Sequence, residues 1–320
     1  MKILAVQNRM GIGDTIIFLP FIKALSKKFN SPISLLAKKN SKADQYLYQT
    51  SYIDEILFLE REKENNNKHN GLLGSLNLIR DIKKHNFDKI IIFNSSLRFN
   101  LIAKLSGIKE VFQYPLFQKN KQHIIEAPKK FIKEKFHLDV NEDPEVQIDN
   151  ILISKSIKKF QINKNETNIL LGIGGSGPSK RIPANTFLIV IEKILKIKKC
   201  NFLLATGKDK EEQIILNEIL NSKFGNLCKP LDNLPIKEIL PLIKSCNLSI
   251  CNDTSFSHLS AALGVKTITL MADTPLIYGS YSSKMFPIIP DGEQTVSHNT
   301  LGKEKINPLK IFNKVIEIIN

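Results

Sequence analysis

The chain has 320 residues, 42% hydrophobic and 24% charged, with a formal net charge of +15 at pH 7. That length exceeds a typical single core and predicts two globular domains of about 150 residues each. No apolar run approaches the ~20 residues of a transmembrane helix, and the apolar stretch in residues 1–9 is too short for a signal peptide, which predicts a cytosolic protein.

In chain order, short apolar runs predict strands at residues 2–7, 33–37, 55–59, 89–93 and 110–114, separated by helical patterns such as 21–29 and 97–105. Residues 61–71, with Asn65, Asn66 and Asn67, read as an exposed polar loop. Residues 141–167, which carry Pro144 and a polar run at 163–167, read as the interdomain connection. The scheme then repeats, with strands at 168–173, 201–206, 226–231, 248–251 and 267–271 and an amphipathic helix over 308–319. Such alternation implies α/β domains with parallel sheets covered by helices on both faces.

Only five of the basic residues are Arg (Arg9, Arg61, Arg80, Arg98 and Arg181), and Arg9, Arg98 and Arg181 follow strands, in loops or turns where function gathers. The many lysines have two readings. Stretches 119–123 and 129–135 are either solvated surface of a Lys-, Ile- and Asn-rich composition or a patch for anionic lipid or substrate. No aromatic stacking motif or nucleic-acid signature accompanies them, so no nucleic-acid partner is expected. Cys200, Cys228, Cys246 and Cys251 lack C-x-x-C spacing and lie in or beside apolar patterns, as buried thiols do.

The most informative segment is residues 249–264, where the apolar strand ends in Asn252, Asp253 and Thr254 and turns into a small-residue helix carrying Ser255 and His258. A helix N-terminus presents unpaired N–H groups and partial positive charge, which suit a diphosphate. A second such turn runs from Gly172 through Gly175, Ser176 and Lys180 to Pro183. In open parallel sheets ligands bind at the carboxyl ends of strands, which gathers residues 10–14, 174–180, 207–211 and 253–258 as candidates. Residues 172–177 also fit G-x-G-x-x-G, but Pro178 follows at once and no acid ends the next strand at the expected distance, so a dinucleotide oxidoreductase is the weaker reading. A P-loop is excluded because Pro178, not Lys, follows Gly177.

Residues 1–29, with the Gly11-Ile12-Gly13-Asp14 turn and Pro20, resemble the opening of glycosyltransferase family 9, the ADP-heptose:lipopolysaccharide heptosyltransferases. The resemblance returns at residues 174–183 and 207–211, and most specifically at Asn252, Asp253, Thr254, His258 and the run 261–264. It implies a GT-B fold: Rossmann-like domains over 1–155 (acceptor) and 156–306 (nucleotide-sugar), sheets facing a central cleft, and a terminal helix at 307–320 crossing back to the first. It also implies an inverting transferase moving heptose from ADP-heptose to a lipopolysaccharide-type acceptor, an anionic saccharide or glycolipid, at the cytoplasmic membrane face, with no metal or other cofactor.

By resemblance Asp14 is the base for the acceptor hydroxyl, and Gly11, Gly13 and Arg98 lie on the acceptor side; by local sequence Asp14 is as readily a helix N-cap. Lys180 is directed at the donor phosphates, where charge builds on the leaving group, with Gly175, Ser176, Asp253, Thr254, Ser255 and His258 around them. Glu211 corresponds to a ribose contact and Leu234 to an apolar support for the base. The plainer readings are a solvated helix face for Glu211, core packing for Leu234, a cap for Asp253 and a hydrogen-bonded core histidine for His258. Ser255 stands where many relatives have Gly, and the aromatic often found before Pro183 is missing, so the donor's identity is less determined than the fold. A GT-B relative that only binds nucleotide sugars, or an epimerase-like one, is the alternative.

Overall fold

The computed structural model describes residues 1–61, 67–116 and 123–319, in two compact units, Met1–Gln147 and Ile148–Asn320. In the first unit the strands β1 (Ile3–Val6), β2 (Ile33–Lys38), β3 (Ile53–Leu59), β4 (Lys89–Ile92) and β5 (Glu110–Gln113) form an all-parallel sheet of order β3-β2-β1-β4-β5. The central strand β1 is buried along its whole length, as an apolar run covered on both faces must be. On one face α3 (Gly71–Lys83) and α4 (Leu97–Leu105) place Leu78, Ile82, Phe99 and Ile102 against Leu4, Ile90 and Ile92. Elsewhere α1 (Ile12–Phe29) packs on α5 (Glu126–Phe136), where Phe18, Phe93, Tyr114, Phe131 and Phe136 meet edge to face. Between β2 and β3 lies the short α2 (Ala43–Tyr46).

The second unit contains α6 (Asn150–Lys159), β6 (Thr167–Gly172), α7 (Ala184–Leu195), β7 (Cys200–Ala205), α8 (Lys210–Leu220), β8 (Cys228–Pro230), α9 (Ile236–Lys244), β9 (Leu248–Asn252), α10 (Ser255–Ala262), β10 (Thr267–Leu270), β11 (Met285–Ile288) and α11 (Pro308–Ile319). Its sheet is again parallel, in the order β11-β10-β9-β6-β7-β8. The strand order therefore reverses between β1 and β4 in the first unit and between β6 and β9 in the second. These switch points are where open parallel sheets leave a crevice at the carboxyl ends of the strands.

Four differences from the sequence reading have physical causes. The first helix begins at Ile12, not after Pro20: Pro20 lies inside α1, whose buried Ile16, Ile17, Phe18 and Leu19 hold the helix through the missing hydrogen bond. Within the stretch read as a connection, α6 forms under an Asp149 cap that accepts from the Ile151 N–H at 2.7 Å. It packs on α9, so the second unit begins before it, at Ile148 rather than at 156. The edge strand β11 was not read because it carries Pro287, which an edge tolerates. Finally, α11 packs on α7, β10 and β11 of its own unit, placing Ile311 and Val315 in that core, where a crossing back to the first unit had been expected.

All four cysteines are free and buried, and burial pushes the Cys251 thiol up to about 12 and those of Cys200 and Cys228 up to about 11. Of the two lysine-rich stretches, residues 119–122 and the loop residues 62–66 lie outside the described residues. On α5, Lys130 lies 3.8 Å from Glu134 and Lys133 2.8 Å from Asp139, so that stretch is partly neutralised on its own surface. Among the described residues no helix is long and apolar enough to cross a membrane.

Candidate functional site

At the switch point of the second unit, β9 ends at Asn252 and α10 begins at Ser255. Thr254, extended at φ −143° and ψ 176°, is the N-cap, and its hydroxyl accepts from the Phe256 N–H at 3.3 Å. Asp253 is therefore not the cap. Its side chain is 5% exposed and accepts a 2.8 Å charge-assisted hydrogen bond from Lys180 Nζ, which reaches it from the turn after β6. His258, one turn into α10, is also buried; its Nε2 stands 3.8 Å from Asp253 Oδ1, beyond hydrogen-bond reach, and its Nδ1 shares a 2.7 Å hydrogen bond with the Tyr281 hydroxyl. The two rings stack with centroids 5.6 Å apart.

The protonation states follow from this packing. Burial works against the Asp253 carboxylate, but His258, which is protonated in the acid range where the carboxyl titrates, and the charge and hydrogen bond of Lys180 hold its pKa below the ordinary value. Burial pushes the His258 imidazole down, and although Asp253 opposes this, Lys180 adds to it, so His258 is neutral near pH 7. The cluster is thus an ionised Lys–Asp pair beside a neutral histidine. Asp253, as an anion, suits holding the lysine better than touching a phosphate.

The loop after β6 is shaped by two residues outside the predicted set. Asn252 donates its amide to the carbonyls of Ile173 and Gly174 at 2.9 and 3.0 Å, tying the end of β9 to the end of β6. Glu212 is buried and accepts the Gly175 N–H at 2.5 Å. The Gly175 carbonyl accepts from Arg181 Nε at 3.0 Å. Gly175, expected at the phosphates, thus has both backbone groups engaged, and its missing side chain leaves room for Lys180 and Arg181, whose atoms would lie 3.2–3.3 Å from a Cβ. At Gly174 an added Cβ would fall 2.7 Å from Glu212 Oε1, and at Gly207 2.2 Å from Glu212 Oε2, so both glycines make room for this one carboxylate. The G-x-G-x-x-G reading has no support in the loop: Gly172 is a packing glycine whose Cβ would meet Cys251 Sγ at 2.6 Å, and a 3-10 turn at Pro178–Lys180 follows instead of a helix.

Glu211 lies on the exposed side of α8 and pairs with Arg181, which also contacts Asp209, the cap of that helix, at 3.1 Å. Ser176 is exposed beside the Lys180 turn, Ser255 is half-buried at the first helical position of α10, and Leu234 is half-buried in the turn before α9. The structure brings together Lys180, Asp253 and His258, and adds Tyr281, which no local pattern marks. Among the described residues no group of three or more His, Cys, Asp or Glu is placed to hold a metal ion.

In the first unit the switch point lies between β1 and β4. Gly11, at φ +95°, is the N-cap of α1, a conformation that only glycine adopts without strain, and it makes no side-chain cap. Gly13 and Asp14 lie in the first helical turn and are half-buried. Asp14 is therefore not the N-cap that local sequence allowed; it sits within the first turn, where its charge suits the positive helix end. Gln7 Nε2 donates to the Asp14 carbonyl at 3.2 Å and Thr15 Oγ1 to that of Gly11, also at 3.2 Å, which fixes the turn. Arg98, on α4, donates to Ser75 Oγ at 2.8 Å and to the His69 carbonyl at 2.7 Å, so two of its donors brace α4 against α3. Burial and the nearby Arg61 lower its pKa.

Residues 75–289 match the model of glycosyltransferase family 9 (heptosyltransferase). Lipopolysaccharide heptosyltransferase 1 of Campylobacter coli is 24% identical over 335 residues, covering 95% of this chain and 93% of its own length. Lipooligosaccharide heptosyltransferase 2 of Campylobacter jejuni subsp. jejuni serotype O:2 is 27% identical over 262 residues, 76% of each chain. Among solved structures, a family 9 glycosyl transferase of Veillonella parvula superimposes with a TM-score of 0.78 at 18% identity, covering 99% of this chain and 96% of that one. For E. coli ADP-heptose lps heptosyltransferase II the TM-score is 0.73 at 16% identity, covering 99% and 98%. Each unit has the parallel sheet and flanking helices of these structures, and the fold is GT-B.

Proposed function

The chain belongs to glycosyltransferase family 9 and is a glycosyltransferase, and on that footing we propose that it transfers heptose from ADP-heptose to a lipopolysaccharide-type saccharide with inversion. The observation that carries the donor half is the cluster at the β6–β9 switch point: a lysine held in place by a buried carboxylate, beside the N–H groups at the start of α10. When the bond from the anomeric carbon to the diphosphate breaks, the electron pair leaves with the outer phosphate. Lys180 and the α10 N-terminus are charge-complementary to it. Asp253 holds the lysine with His258 buried beside it, Ser176, Thr254 and Ser255 offer hydroxyls, Glu211 is the ribose contact, and Leu234 supports the base. On the acceptor side, Asp14 takes the proton of the attacking hydroxyl, with Gly11 and Gly13 allowing close approach of the sugar and Arg98 bracing the surrounding helices. No metal is required, because lysine and helix end supply the positive charge.

The relatives' names support heptose and lipopolysaccharide. On this reading the protein works at the cytoplasmic face of a membrane, where its lipid-linked acceptor would lie. A melting panel with ADP, UDP, GDP, CDP and NAD tests the donor. ADP is expected to stabilise the most, by roughly 2.7 kcal/mol at about 100 times its Kd. Preference for another nucleotide would overturn the ADP assignment, and stabilisation by NAD alone would overturn the transferase site.

A further inference from the structure

Six leucines of the first unit are exposed together. Leu72, Leu73 and Leu76 of α3 are 88%, 77% and 48% exposed, and Leu97, Leu101 and Leu105 of α4 are 45%, 50% and 65% exposed. The α4 leucines recur every fourth residue and so form one stripe along the helix. The α3 leucines lie opposite Gly74, Leu78 and Ile82, the face that α3 buries. The two helices lie side by side on the same face of the sheet, joined by the Arg98–Ser75 bond near their N-termini and by Ser106 Oγ to the Ile79 carbonyl at 3.5 Å farther along. The stripes are therefore neighbours in one apolar patch of six leucines, the kind of contiguous exposed cluster that is often functional.

Apart from Asp81, the charges carried by these two helices have one sign. Arg80 and Lys83 of α3, Lys84 at its C-cap and Lys104 of α4 are exposed. α4 carries no acid, and the single acid of α3, Asp81, is already held by Lys68 at 2.5 Å, His69 at 3.1 Å and Lys84 at 3.3 Å. Leucines flanked by cations complement an anionic lipid surface: the side chains enter the acyl boundary and the cations meet the headgroups. A second copy of this chain fits poorly, because a two-fold contact would set these cations against their own kind. The patch also lacks the aromatic anchors of protein interfaces.

We propose that the α3–α4 face of the first unit docks on an anionic bilayer. Both helices start at the carboxyl edge of the sheet, the edge that carries Gly11, Gly13 and Asp14, so Leu72, Leu73 and Leu97 bring that edge to the lipid. The proposal deepens the reading of a lipid-linked acceptor and replaces the α5 lysines with a different surface.

The test is sedimentation of the whole protein with vesicles of phosphatidylcholine alone or mixed with phosphatidylglycerol, containing no saccharide acceptor, so that its outcome is separate from that of the nucleotide panel. The parent is expected to bind the anionic vesicles, and Leu72→Ser/Leu73→Ser/Leu76→Ser to bind at least about tenfold more weakly, since three leucines are lost from the apolar contact. Arg80→Gln/Lys83→Gln should weaken binding and flatten its salt dependence. Melting temperature identifies correctly folded variants, and Leu97→Ser/Leu101→Ser provides an independent pair should the triple variant misfold. Failure of the parent to bind, parent-like binding by folded leucine variants, or a parent dimer that the leucine variants dissociate would each overturn the proposal.

Discussion

Replacing Lys180 by methionine removes one side of a buried ion pair and keeps most of the side chain's bulk. Breaking a fully buried pair costs about 3–5 kcal/mol, because the remaining charge is left without compensation. Here Asp253 is 5% exposed but Lys180 is 24% exposed, which lowers the expected loss to about 1–3 kcal/mol. In a unit of this size, a loss near 2 kcal/mol lowers its melting temperature by about 4–8 °C. The pH dependence is the sharper test. The folded pKa of Asp253 is depressed: burial pushes against ionisation, but His258, Lys180 and Thr274 together outweigh it. A depressed carboxyl contributes stability that is present above its unfolded pKa of about 3.9 and is lost as pH falls through the folded value. In Lys180→Met the charge and hydrogen bond of the ammonium are lost and the pull of His258 remains, so the carboxyl pKa rises above its value in the parent and protonation relieves part of the strain. The difference between parent and variant should be full at pH 7.5 and shrink toward pH 4. Urea midpoints at both pH values, with Asp253→Asn in the same background to complete a double-mutant cycle, measure it. A gap of equal size at the two pH values would refute the pair as its cause.

Asp14→Asn should lower sugar transfer by about 10² to 10⁴ and leave nucleotide affinity unchanged. Because Gly11 and not Asp14 is the N-cap, the substitution removes no cap, and the helix-end charge it gives up is worth about 0.3–1 kcal/mol; normal turnover in a strongly destabilised variant would remove the residue from the mechanism. Gly207→Ala should destabilise the second unit by about 1–3 kcal/mol, since its Cβ would fall 2.2 Å from the Glu212 carboxylate. An unchanged melting temperature would show that Glu212 is not fixed between its glycines.

The parts of the fold legible in the sequence are those whose burial is uniform. Ile90, Ile91 and Ile92 sit in a strand covered on both faces, and the run of apolar residues is that burial written out. The pattern failed where tertiary packing overrode a local signal, as at Pro20 inside α1, or where an element buries nothing fully, as in α6. In the site the same distinction holds. That Lys180, Asp253 and His258 come together could be expected, because both of their segments follow apolar strands that end at the switch point. Tyr281 could not, because its bond to His258 comes from chain folding 23 residues away and leaves no periodic trace. One residue separates Glu211 from Glu212, but one residue on a helix is a turn of about 100°, enough to send Glu211 to solvent and Glu212 into the loop after β6.

On the proposed reading, that loop determines what Lys180 can do for a donor. Glu212 occupies the Gly175 N–H and Arg181 its carbonyl, so the first part of the turn is a brace and not a phosphate cradle. In this turn the positive charge offered to a diphosphate then comes from Lys180 Nζ, beside the N-terminus of α10. Lys180 is shared with Asp253, and neutral His258 adds no charge. A diphosphate bound there competes with Asp253 for one ammonium group, which gives the α10 N–H groups a larger part of ground-state binding. As negative charge accumulates on the departing phosphate, the lysine's attraction to it grows while its attraction to Asp253 does not. On that reading an ammonium shared between a fixed anion and a developing one stabilises the transition state more than the bound donor, which is the condition for raising turnover and not merely affinity.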